Sequence, residues 1–361
     1  MRAPPPSTDL RMDDAARVAR TLAALRDLGL ERVESPDVAT QAVRVGPKGW
    51  QVTGERPAMG TLVSVTALGP SRERLEDALG RAFEAMDRLI GLLSRFDGAS
   101  PVSHLNATGR LDGPPPEVCE VVSRALDYHR LTRGAFDVSV APLVDLFWDR
   151  LVRETPVEPT AAEVAEALAR VGAEHVVLSR RRIGLARPGM RLTLDGIAKG
   201  YIVDAVAAVL DRGGVRRYLV NAGGDIRARG ANAEQRPWTI AVENPWRRGD
   251  FPDTIHLGDA AVATSGSYER YFDHDRTYHH IVNAATGRSP VHCSSVSVVA
   301  PTALAADALA TSVFLMGPRD GVAFIEGLSG CACLVLDREG REHRSRTWRN
   351  AAPLDGGVGT S

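Results

Sequence analysis

The chain has 361 residues, 44% of them hydrophobic and 25% charged, with a formal net charge of −1. That balance describes an ordinary globular protein, long enough for one large domain or two closely packed ones. It argues against a cation-dominated nucleic-acid surface, and no apolar run reaches membrane-spanning length. The cysteines, Cys119, Cys293, Cys331 and Cys333, lack zinc spacing and read as small buried residues of a reduced compartment. Residues 1–20 carry neither an apolar signal core nor a cysteine for a lipid anchor, so a cytoplasmic location is expected.

A Pro-rich lead at 1–8 precedes a segment, 9–29, whose Val18, Leu22 and Leu25 share one helical face. Residues 36–56 read as a linker passing into a strand, and the β-branched alternation of 58–68 predicts a strand. A helix is expected over 72–93, then a loop over 94–109 dense in Ser, Asn, Asp and Gly. Pro114 to Pro116 open a second helix running to about Arg133. Within 134–148, Asp137 lies between apolar stretches and Pro142 is expected to end an extended segment. An amphipathic helix follows over 159–171, and 176–178 should pair with 183–185 as a hairpin. Residues 192–210 read as loop, glycine turn and helix; 215–229 read as strand, turn at 221–225, and strand. Further strands are expected at 238–243, 254–257, from 261, at 296–300 and at 331–336. Helices and strands mix without the regular alternation of a doubly wound sheet, which predicts the α+β class.

Segment 301–317 is small and apolar throughout, the composition of a buried helix, yet it contains Asp307 and Thr311 on one face. A carboxylate there needs a positive or hydrogen-bonding partner. Either it caps a helix beginning near Ala308, or it joins Thr311 in offering hard oxygen ligands to a Mg²⁺-type cation. Gly196-Ile197-Ala198-Lys199-Gly200 before a helix suits a phosphate cradle, but it lacks the full Walker spacing and equally makes a close-packed turn. Residues 221–225 form a tight turn with Asp225 available as a cap. Thr264-Ser265-Gly266 can present hydroxyls and N–H groups to an anion, or make an ordinary turn. His279 and His280 fall on opposite faces of an extended segment, so one of them can face a site as a general base.

In this order, these residues resemble the FAD:protein FMN transferases, the ApbE-like flavin transferases. The resemblance runs through Met59-Gly60-Thr61, the 94–106 loop, Phe136-Asp137-Val138 with Ala141-Pro142-Leu143, and Ile197-Ala198-Lys199-Gly200-Tyr201 with Asp204. It continues in Gly223-Gly224-Asp225, Thr264-Ser265-Gly266, His279-His280-Ile281 with Thr286-Gly287, and Asp307 with Thr311. It covers about 57–337, leaving 1–56 as an N-terminal extension and 338–361 as a tail.

The resemblance implies a T-fold-related α+β architecture of two subdomains, with mixed or antiparallel sheets and FAD in a cleft between them, as monomer or homodimer. It implies Mg²⁺, or Mn²⁺, held by Asp307, Thr311 and a carbonyl at Gly196. The implied FAD contacts are Met59, Phe96, Asp97, Gly98, Asp137, Thr193, Lys199, Thr264, Ser265 and Gly266. The implied reaction moves FMN from FAD onto a Thr or Ser hydroxyl of a target protein and releases AMP. Lys199 assists it, with His280, or secondarily His279, as base. A Mg²⁺-dependent FAD pyrophosphatase and a non-catalytic FAD-binding protein are the alternative readings. One departure stands out. The family pattern Asp-Leu-Gly-Gly is here Thr193-Leu194-Asp195-Gly196. Thr193 keeps a hydrogen-bonding group without the charge, and Asp195 either substitutes for that carboxylate or crowds the metal.

Overall fold

Alternating burial organises the first part of the chain, in a computed structural model that describes residues 38–348 except 48, 154, 247, 248, 250 and 252. The helix expected over 9–29 lies outside the described residues. Strands β1 (Ala39–Val45), β2 (Gly49–Ala58) and β3 (Thr61–Gly69) form successive antiparallel hairpins. The turn between β2 and β3 is Met59-Gly60, with φ of 53° and 73°, the left-handed pair that a two-residue hairpin requires. The strand expected over 58–68 is therefore divided by a turn, and the segment expected to pass from linker into strand already holds β1 and most of β2. In β2 the buried set is Val52, Gly54, Arg56 and Ala58, a mixture too polar for the period to stand out in the sequence.

Helix α1 (Arg72–Leu93) starts where Ser71 Oγ accepts from Arg74 N–H, and it spans the expected residues. The loop expected over 94–109 contains α2 (Pro101–Thr108), opened by Pro101 and capped by Ser100 Oγ, which accepts from Ser103 N–H at 3.0 Å. After β4 (Arg110–Asp112) and α3 (Pro116–Leu131), Pro142 lies in the first turn of α4 (Ala141–Leu151). It starts a helix rather than ending a strand, as its fixed φ and missing N–H allow. Helix α5 (Ala161–Leu168) has a capping box between Thr160 and Glu163. The chain continues with β5 (Val176–Ser179), β6 (Arg182–Leu185), α6 (Ala198–Arg212), β7 (Arg217–Ala222), β8 (Asp225–Arg229), β9 (Trp238–Val242) and β10 (Asp253–Leu257). It ends with β11 (Ala261–Gly266), β12 (Cys293–Ala300), α7 (Ala303–Met316), α8 (Pro318–Glu326), β13 (Ala332–Asp337) and β14 (Glu342–Arg344).

Nine strands form one sheet in the order β1-β2-β3-β7-β8-β11-β12-β13-β14, antiparallel at every step. Smaller antiparallel sheets are β4-β6-β5 and β9-β10. The class is α+β as expected, with antiparallel rather than mixed named sheets. The large sheet reaches past both ends of 57–337: β1 precedes it, and β14 with buried Trp348 follows it. One core, including Val65, Phe83, Val206, Val298 and Phe314, joins the sheet to α1, α6 and α7. A second joins it to the β9-β10 hairpin through Ile226, Trp238, Ile240, Leu334 and Trp348. A third holds α4 and α5 against 272–284 through Phe147, Leu151, Ala167 and Phe272. Among the described residues, no helix is long and apolar enough to cross a membrane.

Helix α7 is buried on nearly every side, as its apolar composition demands. Its cap is Thr302, whose Oγ1 accepts from Ala305 N–H at 3.2 Å. Asp307 lies inside the helix, so the alternative in which it caps a helix beginning near Ala308 does not hold. Asp307 serves another helix: its Oδ2 accepts from Gly200 N–H at 3.1 Å, in the first turn of α6, where Ile197 offers no side-chain cap. In return Asp204 of α6 accepts from the N–H groups of Ala303 and Leu304, both at 2.9 Å. Each helix thus supplies a carboxylate to the positive end of the other. This contact needs Gly200, because a Cβ there would stand 2.3 Å from the Ala303 carbonyl oxygen. Gly200→Ala is expected to cost about 3 kcal/mol by overpacking, seen as a lowered urea midpoint with the slope unchanged.

Candidate functional site

The crossing of α6 and α7 gathers most of the chemistry-bearing residues. Lys199, beside Gly200, places its Nζ 2.7 Å from Asp225 Oδ2 at the start of β8, and Asp225 is almost fully buried. Asp225 is therefore an ion partner; the 221–225 turn is held by Asn221 Oδ1, which accepts from Gly224 N–H at 3.2 Å. Burial opposes the Lys199 charge, but Asp225 and then Asp307 raise its pKa, so it is an ammonium. Burial, then the charge of Asp225, hold the Asp307 carboxyl well above the usual range, while Lys199 and the Gly200 N–H pull the other way. Two buried acidic side chains share one ammonium, and the cluster is short of positive charge.

Thr311 lies one turn beyond Asp307, with its Oγ1 3.3 Å from Ser265 Oγ on β11. The neighbouring Thr264 hydroxyl meets Ser297 Oγ at 2.8 Å, and Gly266 closes the strand, buried. A Cβ on Gly196 would stand 3.1 Å from Thr311 Oγ1 and 3.3 Å from the Phe136 ring. A side chain at Gly196 would press on the threonine, which would have to give by a few tenths of an ångström. Gly196, Asp307 and Thr311 are thereby brought to one place, and their carbonyl, carboxylate and hydroxyl oxygens are the donor set that a hard divalent cation takes. Asp307 Oδ2 is engaged by Gly200 N–H, which leaves Oδ1 for such an ion.

Around this centre, the Met59-Gly60 turn leads into Thr61, whose side chain lies directly against Gly223 before Asp225. Phe96 is 51% exposed, with the Arg95 guanidinium 4.6 Å from its ring centroid. Asp97 Oδ1 accepts from Ala99 N–H at 2.9 Å, and Gly98 is exposed. Thr193 is buried, its Oγ1 accepting from Asp195 N–H at 3.3 Å.

Asp137 is differently placed. Its carboxylate accepts from Ser139 N–H at 2.7 Å, from the Ser139 hydroxyl, and from Ala173 N–H at 3.1 Å, so it is spent on tying loops together. His129, Asp137 and Glu174 bring ligand-type atoms within 4.8 Å of one another. His129 Nδ1 faces the Phe136 carbonyl at 3.0 Å, however, and must donate there. It has no lone pair for an ion on the Asp137 side.

The two histidines differ as alternation predicts. His279 is fully buried; its Nε2 donates to the Pro290 carbonyl at 3.0 Å, and its Nδ1 accepts from Ile281 N–H at 3.3 Å. Both ring nitrogens are occupied, and the ring packs on Phe314 of α7. His280 is half-buried, with Nδ1 3.4 Å from the Arg270 carbonyl, which leaves Nε2 with its lone pair. Burial, then His279, push its pKa down to about 4, with Asp195 raising it and Lys199 lowering it. The charges of the helix crossing therefore reach this ring, and the ring is neutral near pH 7. Sequence reasoning named Asp204 and the turn beginning at Asn221 without giving either side chain a partner, and it did not single out Arg95. Beside the resemblance, the signal for Asp204 is a carboxylate among the buried Ile202, Val203 and Val206 of α6.

Residues 59–335 match the sequence model of the ApbE family. The FAD:protein FMN transferase of Salmonella typhimurium is 29% identical over 321 residues, covering 86% of this chain and 90% of that one. That of Treponema pallidum is 32% identical over 310 residues, covering 77% and 82%. Among solved structures, the flavin transferase ApbE from Vibrio cholerae superposes with a TM-score of 0.71 at 28% identity, over 87% of this chain and all of that one. The ApbE protein from Thermotoga maritima gives 0.75 at 29% identity, over 88% of this chain and all of that one. With more than half of its length matched, the chain belongs to the ApbE family.

Proposed function

We propose that this protein moves FMN from FAD onto a Thr or Ser hydroxyl of a target protein and releases AMP, with Mg²⁺ or Mn²⁺ bound in the site. The observation that carries this reading is the buried Asp225–Lys199–Asp307 cluster, short of positive charge, with Thr311 and Gly196 beside it. The relatives named FAD:protein FMN transferase support it. The acceptor oxygen forms a bond to the FMN phosphorus while the pyrophosphate P–O bond to AMP breaks. His280 Nε2 takes the acceptor's proton, and the neutral ring at physiological pH suits it to that task. Lys199 holds a pyrophosphate oxygen with its permanent charge. Asp307, Thr311 and the Gly196 carbonyl would hold the metal, which when bound neutralises charge on the pyrophosphate. Phe96, Met59 and the Thr264 and Ser265 hydroxyls would line the flavin nucleotide, and Thr193 orders the loop before Gly196 through Asp195 N–H.

The test is incubation with FAD, Mg²⁺ and flavoprotein domains encoded beside the gene, followed by intact-mass analysis. A mass gain equal to FMN on the target, with stoichiometric AMP, is expected. AMP and free FMN without the mass gain would make the protein a pyrophosphatase. Intact FAD that stays bound would make it a binding protein.

A further inference from the structure

Asp195, the departure noted in the sequence, lies at an unfinished contact. The Arg95 side chain is only 11% exposed although it sits in the loop after α1. Its Nη1 donates to Asp145 of α4 at 2.7 Å, and Arg191 holds the other oxygen of that carboxylate at 2.9 Å. The Arg95 carbonyl accepts from Ser103 Oγ at 3.0 Å, so the base of the loop is tied to α2. Its guanidinium lies against the half-exposed ring of Phe96. The Nε of Arg95, in contrast, is buried without a hydrogen-bond partner, while Asp195 Oδ2 stands 3.5 Å away. Asp195 is itself anchored, through its N–H on Thr193, next to the Gly196 that touches Thr311.

We propose that Arg95 and Asp195 form a clamp that closes when the flavin nucleotide binds, with Arg95 a positioning residue that sets Phe96 against a heteroaromatic ring of FAD. The inference rests on the FAD reading of the site. A buried guanidinium N–H that meets its acceptor only as a 3.5 Å ion pair is poorly satisfied, and an arginine cannot shed its charge to relieve it. A small approach of the 94–98 loop to the 194–196 segment completes the bond. A flat ring filling the space beside Phe96 adds stacking on the same side chain that Arg95 already covers. Asp195 then acts neither as a replacement for the family's Asp nor as a crowding group at the metal; it draws two loops together.

The experiment measures the Kd for FAD by quenching of flavin fluorescence, without metal, for wild type, Arg95→Met, Asp195→Ala and the double variant. Asp195 is 54% exposed, so Asp195→Ala keeps the fold even if Arg95→Met disturbs the Asp145 contact. Each single variant is expected to bind FAD about ten-fold more weakly, as when the competent loop position falls to about a tenth of the population. The double variant should be no weaker than Arg95→Met, because both remove one bond. Wild-type affinity in Asp195→Ala, or additive losses in the double variant, would overturn the clamp while FAD binding by the wild type left the parent reading intact. Failure of the wild type to bind FAD would overturn both.

Discussion

Asp307→Asn is expected to fold with near-native stability and to lose flavin transfer by roughly 100-fold or more, the scale set by removing a metal's charge stabilisation. The structure separates the two duties of this side chain. One is the bond from Gly200 N–H, which requires only an acceptor oxygen, and an asparagine carbonyl provides one. The other is charge. Asp307 and Asp225 repel each other across Lys199, so the neutral amide relieves that repulsion and stability is kept or slightly raised. A hard divalent cation, in contrast, binds an amide oxygen much less well than a carboxylate. Metal affinity by calorimetry should fall with turnover, and raised Mg²⁺ or Mn²⁺ should restore part of it. Thr311→Val should show the same pattern more weakly. If Asp307→Asn is silent in both measurements, Asp307 is only the cap of α6 and the metal site is lost.

That dual role shows where sequence reading stops. Spacing alone put Asp307 and Thr311 on one face of a buried helix, and the structure agrees. The carboxylate's partner is an N–H that lies 107 residues earlier in the chain, and no local pattern encodes it. The same holds for Asp204 at the ends of Ala303 and Leu304, and for Lys199 with Asp225: contacts made across helices and strands depend on the fold, not on the period. Helix α1 was legible because its apolar positions repeat cleanly after a serine cap. Helix α2 was hidden, because a Ser-Pro start in a stretch rich in Ser and Asn reads as a loop when composition is weighed above the cap. Pro142 misled for a related reason: proline both ends strands and opens helices, and only the following apolar turn, Leu143, Val144 and Phe147, decides between them. At the histidine pair, alternation correctly separated the two rings onto different faces but could not say which face was closed.

His280→Ala is expected to slow transfer by roughly 10²–10⁴-fold, the usual loss for a general base, with FAD still bound. His279→Ala is expected to act on stability: it empties a buried ring site and orphans the Pro290 carbonyl and the Ile281 N–H, at a cost of about 3 kcal/mol. Thermal unfolding and single-turnover transfer on the folded fraction separate the two effects. The pH dependence adds a second check. Both imidazoles are pushed by burial from 6.5 to about 4. The base is therefore unprotonated well below neutrality, and the acid limb of kcat should lie near the depressed value rather than near the ordinary one. For stability the sign is the same. Between these two values the unfolded chain binds protons that the folded chain does not, so stability is fully present above about 6.5 and falls as pH drops toward about 4. His279→Ala should flatten that decline, whereas His280→Ala should also abolish the acid limb of the residual rate. Should His279→Ala be the slow variant and His280→Ala near normal, the proton passes through the buried ring, and the free Nε2 of His280 has no part in the chemistry.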